Sequence, residues 1–136
     1  MTREKIVKIC GKDVKMIYCA ASETGYEKLT NNSIDVFSPT FGKDEEGNDI
    51  ITERAKALMT DYIYLAIASI VAAYEKAKQT VPINSEELLY EATPSELQAL
   101  ITAVVELRFA WYGLPDMLKK SIEEENKGTE DNKKNE

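Results

Sequence analysis

The side chains in this sequence that are best suited to chemistry are scattered acids and one arginine among apolar positions. Arg108 shares a helical stripe with four apolar residues: Leu97, Ile101, Val104 and Trp111. A cation in such a stripe can bind an acidic group. The interpretation we favour is that its methylenes pack while its guanidinium reaches water or a nearby carboxylate.

The acidic residues have plain structural explanations. Asp61 is a possible catalytic or metal-binding carboxylate, but no second acid stands four residues later to pair with it. Glu86, Glu87 and Glu91 share a helix face, and without histidine or cysteine nearby this pattern favours a solvated surface. The acids from Asp44 onward lack the glycine at position six and the glutamate at position twelve of a calcium loop.

The residue types needed for common enzyme mechanisms are missing from the sequence. It contains no histidine, which removes the usual general base and the commonest zinc or iron ligand. Its six glycines stand singly, so no glycine-rich loop can cradle a nucleotide. We therefore predict no catalytic residue, no metal site and no cofactor, which means that the protein is not expected to be an enzyme.

Composition and charge indicate which classes of partner are excluded and which cellular compartment is favoured. With 17 basic and 24 acidic residues the net charge is -7, which opposes binding to nucleic acid phosphates. The most apolar stretch has twelve residues, Tyr62 to Ala73, whereas a membrane span needs about 20. Two cysteines and a charged segment from Met1 to Lys8 favour a reducing cytoplasm. The prediction is a soluble, cytoplasmic protein that binds neither nucleic acid nor membrane.

Hydrophobic patterning predicts a mostly α-helical α+β fold. Residues 5–20 form a β-hairpin in which Cys10 and Gly11 make the turn, Val7 faces Val14, and Ile9, Met16 and Tyr18 share that face. A short helix over 22–31 follows, with Ser22 as its N-cap and Asn31 at its end. Residues 38–49 are predicted to be an exposed loop.

Helices account for most of the remaining chain. Apolar spacing predicts a long central helix over 52–79, and capping-box spacing predicts helices over 85–91 and 94–112, the last ending at Gly113. A further helix is predicted over 115–122. Residues 1–122 would then form one globular domain, a hairpin followed by a bundle of four to five helices, and residues 123–136 a disordered polar tail.

The helix over 94–112 carries a wider apolar sector than packing on one side requires. Burial on several sides within the domain is one explanation. The other is a protein-binding surface, because exposed aromatic residues beside large apolar patches are typical of such sites. The candidate partner-binding residues are Arg108, Phe109, Trp111, Tyr112 and Leu114.

Two segments carry a family resemblance: Ile-Cys-Gly-Lys-Asp-Val-Lys-Met at residues 9–16, and Tyr-Glu-Lys-Leu-Thr-Asn-Asn-Ser-Ile at residues 26–34. They resemble the tail assembly chaperones of long-tailed bacteriophages, in which a hairpin with Asn-Gly at its turn precedes an aromatic-Glu-x-Leu-Thr-Gly segment. Cys10 stands where the family has asparagine, and Asn31 stands where it has glycine.

The resemblance implies a protein that coats the phage tape measure protein and recruits tail tube protein in the bacterial cytoplasm, without catalysis. Self-association into a homo-oligomer is compatible with that role. Two alternatives remain open. One is a structural phage component, such as a connector or tail subunit. The other is a small-ligand-binding or enzymatic domain that uses Asp61, Arg108 and the tyrosines.

Residues 124–136 contain only charged residues, asparagine, glycine and threonine, so they offer no apolar surface to a core. Their deletion is expected to leave the melting temperature within about 2 °C, because 1 kcal/mol would shift a small domain by about 4 °C or more. Thermal unfolding of the shortened and complete chains tests this. A fall several times larger would show that these residues pack.

Overall fold

The computed structural model describes residues 4–113. Its elements are, in order, β1 (Glu4–Ile9), β2 (Lys12–Ile17), α1 (Ala20–Thr30), a 3-10 turn (Ile34–Phe37), β3 (Thr40–Lys43), β4 (Asp49–Glu53), α2 (Met59–Ala77), α3 (Ser85–Glu91) and α4 (Pro94–Tyr112). The predicted helix over 115–122, the predicted tail over 123–136 and Leu114 lie outside the described residues. Within them, a hairpin followed by helices agrees with the predicted α+β class.

The first hairpin has the predicted register. Val7 pairs with Val14 and Ile9 with Lys12, which leaves Cys10 and Gly11 as a two-residue turn. Both turn residues have positive φ, 52° and 75°, as a hairpin turn matched to the strand twist requires. The face that carries Val7, Ile9, Val14, Met16 and Tyr18 is buried, as predicted.

Helix α1 begins earlier than predicted. Cys19, not Ser22, is its N-cap, and Ser22 lies inside the first turn. The Ser22 hydroxyl is fully buried: it accepts from the Cys19 backbone N–H at 3.2 Å and donates to the Ile17 carbonyl at 3.1 Å. Ser22 therefore joins β2 to α1. The predicted end is confirmed, since Asn31 adopts the left-handed conformation, with φ 58°.

Helices α1 and α2 approach each other closely at Gly25. A Cβ atom at this position would lie 3.1 Å from the Cβ of Ala68, which is tighter than ordinary contact. Glycine weakens a helix, by roughly 1 kcal/mol relative to alanine, so its presence inside α1 needs a reason. Close packing of the two helices supplies that reason.

The predicted exposed loop over 38–49 is wrong in part. Residues 40–43 and 49–53 form a second antiparallel hairpin, with Phe41 opposite Ile51 and an irregularity in register between Thr40 and Phe41. These strands are short and their side chains are mostly exposed, so they lack the apolar alternation by which a strand is recognised. The acidic residues from Asp44 to Glu46 lie in the connection between the strands.

The central helix is shorter than predicted, because α2 begins at Met59 and not near Thr52. Residues 52 and 53 belong to β4. Asp61 caps the helix start by accepting from the Leu58 backbone N–H at 2.8 Å, and its other oxygen accepts from the hydroxyl of buried Tyr26, also at 2.8 Å. Local apolar spacing could not reveal this start, since the cap lies inside the helix and its second partner is on α1.

Apolar residues surround the axis of α2 on most sides, as in a helix buried within a domain. It contacts α1, β2 and α4. Its buried residues are Ile63, Leu65, Ala66, Ile67, Ala68, Ser69, Ile70, Ala72, Ala73 and Tyr74. The Tyr74 hydroxyl also accepts the Lys15 backbone N–H of β2 at 3.2 Å. This helix is therefore the element on which the hairpin and the neighbouring helices pack.

The starts of α3 and α4 are as predicted. The Asn84 side chain accepts the Glu87 backbone N–H at 2.7 Å. Thr93 and Glu96 form a reciprocal capping box with Pro94 in the first turn, and α4 ends at Gly113. Glu96 also accepts the Cys10 backbone N–H at 2.7 Å. The backbone bonds from Thr93 and Cys10 lower the pKa of Glu96.

No helix within residues 4–113 combines the length and the apolar character that crossing a bilayer requires.

The burial of Val14 makes the hairpin register testable. Replacing Val14 with aspartate buries an unpaired charge, and we expect it to cost about 3 kcal/mol or more of folding free energy. Ile6 is the matched control, because it lies on the opposite face of the same hairpin and is 62 % exposed. Ile6→Asp is expected to change stability by less than about 1 kcal/mol. Urea unfolding of both variants measures the difference, and equal losses would contradict the register.

Candidate partner-binding surface

Helix α4 packs against the rest of the molecule along two sides. One side carries Leu100, Ala103, Val104 and Leu107, which are buried in the main core. The other carries Ile101, Val105 and Phe109, which are only partly buried and face residues of the segment 37–57. Packing on two sides within the domain therefore explains the wide apolar sector of α4. The side that carries Ile101, Val105 and Phe109 is incompletely covered.

Arg108 lies between these two sides and is buried, with 8 % of its surface exposed. Its Nη1 donates to the Phe37 carbonyl at 3.4 Å and its Nη2 to the Ser38 hydroxyl at 3.3 Å. Its partners within residues 4–113 are neutral oxygens, not the carboxylate that the sequence also allowed. The guanidinium joins α4 to the 3-10 turn, about 70 residues earlier in the chain.

The hydrogen bonding of Arg108 is weak for a buried cation. Both bonds lie beyond the usual 2.7–3.2 Å range and end on neutral acceptors. In the described part of the chain its Nε is buried with no hydrogen-bond partner. Aromatic rings supply further stabilisation, because the guanidinium carbon lies 4.7 Å from the Tyr112 ring centroid and 5.8 Å from that of Phe37.

Trp111 and Tyr112 form an aromatic end to α4. They remain 37 % and 45 % exposed, and their ring centroids lie 4.8 Å apart. Trp111 also meets the ring of Tyr18 edge to face at 5.5 Å. The hydroxyls of Tyr18 and Tyr112 both donate to Glu23 Oε2, at 2.7 and 2.6 Å. The aromatic end is thus fixed to α1 and to the residue that follows β2.

Burial raises the pKa of the Tyr18 and Tyr112 hydroxyls, and the bond to Glu23 raises each of them further. Both hydroxyls are therefore neutral donors across the physiological range. They serve as fixed hydrogen-bond donors to a carboxylate, which makes their role at this end of α4 structural.

A cavity of about 290 Å³ lies between the second side of α4 and the segment 37–57. Its walls include Phe37, Tyr62, Ile101, Val105 and Phe109. Among the described residues that line it, the only charged side chains are Arg54 and Arg108. The cavity is therefore lined by apolar residues together with two arginines.

A larger cavity of about 590 Å³ runs along α1, α2 and α3. It is lined mainly by small and aliphatic residues, among them Gly25, Leu29, Val71 and Leu88, with Lys28 and Glu75 as its charged members. These two charges are of opposite sign. The lining thus provides an apolar groove without a distinct chemical preference.

The structure brings some of the predicted binding residues together. Arg108 contacts the Tyr112 ring, Tyr112 contacts Trp111, and Phe109 faces the cavity. Leu114 lies outside the described residues. Sequence patterns did not identify Phe37 and Tyr62 as parts of this site, because no local spacing links them to α4. The Phe37 ring packs between those of Tyr26 and Tyr62, with centroids 4.8 and 5.0 Å away.

The acidic candidates have structural roles. Asp61 is the cap of α2, and Glu87 pairs with Lys12 at 3.1 Å. Asp44 accepts the backbone N–H groups of Asn48 and Glu46, at 2.8 and 2.9 Å, and the bond from Asn48 is the main reason that its pKa is lowered. Across residues 4–113, no group of three or more histidine, cysteine, aspartate or glutamate residues is placed to hold a metal ion.

Comparisons of the chain with protein families, with curated proteins and with solved structures found no match in any of the three.

Proposed function

We propose that this protein is a tail assembly chaperone of a long-tailed phage or prophage, which binds the tape measure protein and helps to recruit tail tube subunits by protein contact alone. The observation that carries the proposal is the aromatic end of α4, where Trp111 and Tyr112 stay more than one third exposed although their neighbours hold them in place. Rigid, half-exposed aromatic residues are typical anchors of protein interfaces.

The backbone at the two departures from the family pattern supports the resemblance. Cys10 replaces the asparagine of the hairpin turn, and its φ of 52° is the left-handed value that asparagine readily adopts. Asn31 replaces the glycine that follows Leu-Thr, and its φ is 58°. Both substitutions therefore retain a conformation that asparagine and glycine favour in turns and at helix ends.

Further apolar exposure suits a protein that holds a partner. Within residues 4–113, other large exposed apolar residues include Ile6, Leu29, Phe41, Ile50, Leu58, Met59 and Leu89. Singly exposed apolar residues are ordinary on protein surfaces, so these add less support than the joined rings of Trp111 and Tyr112. The net charge of -7 keeps such a surface soluble.

The test is binding of the Trp111→Ala variant to the tape measure protein encoded in the same genome. We expect binding to weaken by roughly 30-fold, equivalent to about 2 kcal/mol, because truncation of an anchoring tryptophan typically costs that much. The loss of the Tyr18 contact is expected to lower the folding free energy by about 1 to 2 kcal/mol, which leaves the domain folded. Binding is measured by co-purification and titration, and folding by thermal unfolding.

Tyr90→Ala is the matched control, because Tyr90 is an aromatic residue on α3 that is 84 % exposed. It is expected to change neither stability nor binding. Unchanged affinity of a folded Trp111→Ala chain would refute the proposed anchor. Failure of the unmodified chain to bind either the tape measure protein or the tail tube protein would refute the function.

A further inference from the structure

The cavity beside Arg108 differs from the larger one along α1, α2 and α3, because its charged lining residues are both cations. A cation that is more than nine-tenths buried normally has a carboxylate partner or several short hydrogen bonds, because desolvation of a charge costs several kcal/mol. Arg108 has two long bonds to neutral oxygens and an Nε without an acceptor in the described part of the chain. Its guanidinium therefore has no anionic partner among the described hydrogen bonds.

The surroundings of Arg108 favour a carboxylate that is carried on an apolar group. Arg108 lines a cavity whose other walls include Ile101, Val105, Phe109, Phe37 and Tyr62. Apolar walls around a few polar groups are the usual construction of a binding site. Arginine matches the geometry of a carboxylate, with two parallel N–H donors. No acidic residue lines the cavity within residues 4–113, so nothing described there competes for the cation.

The size of the cavity indicates the kind of occupant. Its volume of about 290 Å³ lies just below the roughly 300–1,000 Å³ that small-molecule sites occupy. One acidic side chain with an adjoining apolar side chain needs a space of this order. A segment of a partner protein therefore fits the cavity better than an extended small molecule.

We propose that this cavity is a docking site for an aspartate or glutamate side chain flanked by apolar residues on a partner protein, with Arg108 binding the carboxylate. The identity of that partner rests on the proposed function, which makes it the tape measure protein. The cavity and the aromatic end of α4 then form adjacent parts of one interface, because Arg108 contacts the Tyr112 ring.

The first experiment tests the cavity without any partner. The full chain is titrated with hexanoate and with hexanamide, which share a carbon chain and differ in charge, and backbone amide shifts in the NMR spectrum report binding. Hexanoate is expected to bind about tenfold more tightly, the effect of one charge-assisted hydrogen bond. Its shifts are expected around Phe37 and α4. Equal affinity of the two compounds would overturn the proposal.

Two pairs of variants locate the site. Arg108→Met is expected to abolish the preference for hexanoate, whereas Arg108→Lys keeps part of it. Ala55→Leu fills the cavity while leaving Arg108 in place, and Lys56→Leu is its control, because Ala55 lines the cavity and exposed Lys56 does not. Hexanoate binding is expected to fall at least fivefold in Ala55→Leu only. If either Arg108→Met or Ala55→Leu does not fold, the other still decides the result.

The second experiment identifies the occupant. Overlapping 20-residue peptides of the tape measure protein are titrated into the full chain, and each acid of the best binder is replaced by its amide. One such replacement is expected to weaken binding to the unmodified protein about tenfold and to have no effect on binding to Arg108→Met. If peptides bind but no acid-to-amide replacement depends on Arg108 in this way, the docking proposal is overturned and the proposed function still stands.

The two experiments together separate the carboxylate site from the identity of its partner. A preference for hexanoate without binding of any tape measure peptide or of the whole tape measure protein would overturn the partner assignment and the proposed function together, while supporting a carboxylate site.

Replacing Glu123, Glu124 and Glu125 with glutamine in the full chain tests whether the chain's own acids compete. A tenfold gain in hexanoate affinity would make them the occupant and overturn the proposal.

Discussion

The rest of the structure depends on covering one face of the first hairpin. Two paired strands are at best marginally stable in water, so the apolar side chains of β1 and β2 must pack against another element. Helix α2 provides that element, and it can do so while also contacting α1 and α4 because its surface alternates large aliphatic residues with alanine and serine. The close approach of α1 and α2 at Gly25 and Ala68 is possible because both residues are small.

Sequence patterns predicted those parts of the fold that are determined locally. The turn at Cys10 and Gly11, the cap at Thr93 and the left-handed ends at Asn31 and Gly113 depend on residues within a few positions of one another. The second hairpin was not predicted because its short strands are mostly exposed. The start of α2 was placed too early because apolar residues at helical spacing begin at Ala55, in the connection before the helix, and no proline or glycine interrupts the chain after Thr52. The cap that marks the true start is Asp61, inside the helix.

The candidate site was predicted only in part, for a related reason. Arg108 and the aromatic residues around it were found from their spacing on α4, but their surroundings come from Phe37 and Ser38, far away in sequence. A helical stripe shows that a cation lies among apolar neighbours and does not show what faces it. The 3-10 turn decides that Arg108 binds a backbone carbonyl, and the incomplete packing beside it leaves the cavity.

Glu96 links two parts of the chain through one carboxylate. Its Oε1 accepts the Thr93 N–H that begins α4, and its Oε2 accepts the Cys10 N–H at the hairpin turn. Because these bonds lower its pKa below the ordinary value of 4.5, their contribution is complete above that value and is lost as the pH falls through the lowered one. Protonation of Glu96 therefore weakens the hydrogen bond at the hairpin turn and the one at the start of α4 together, so these two distant parts of the chain share one sensitivity to acid.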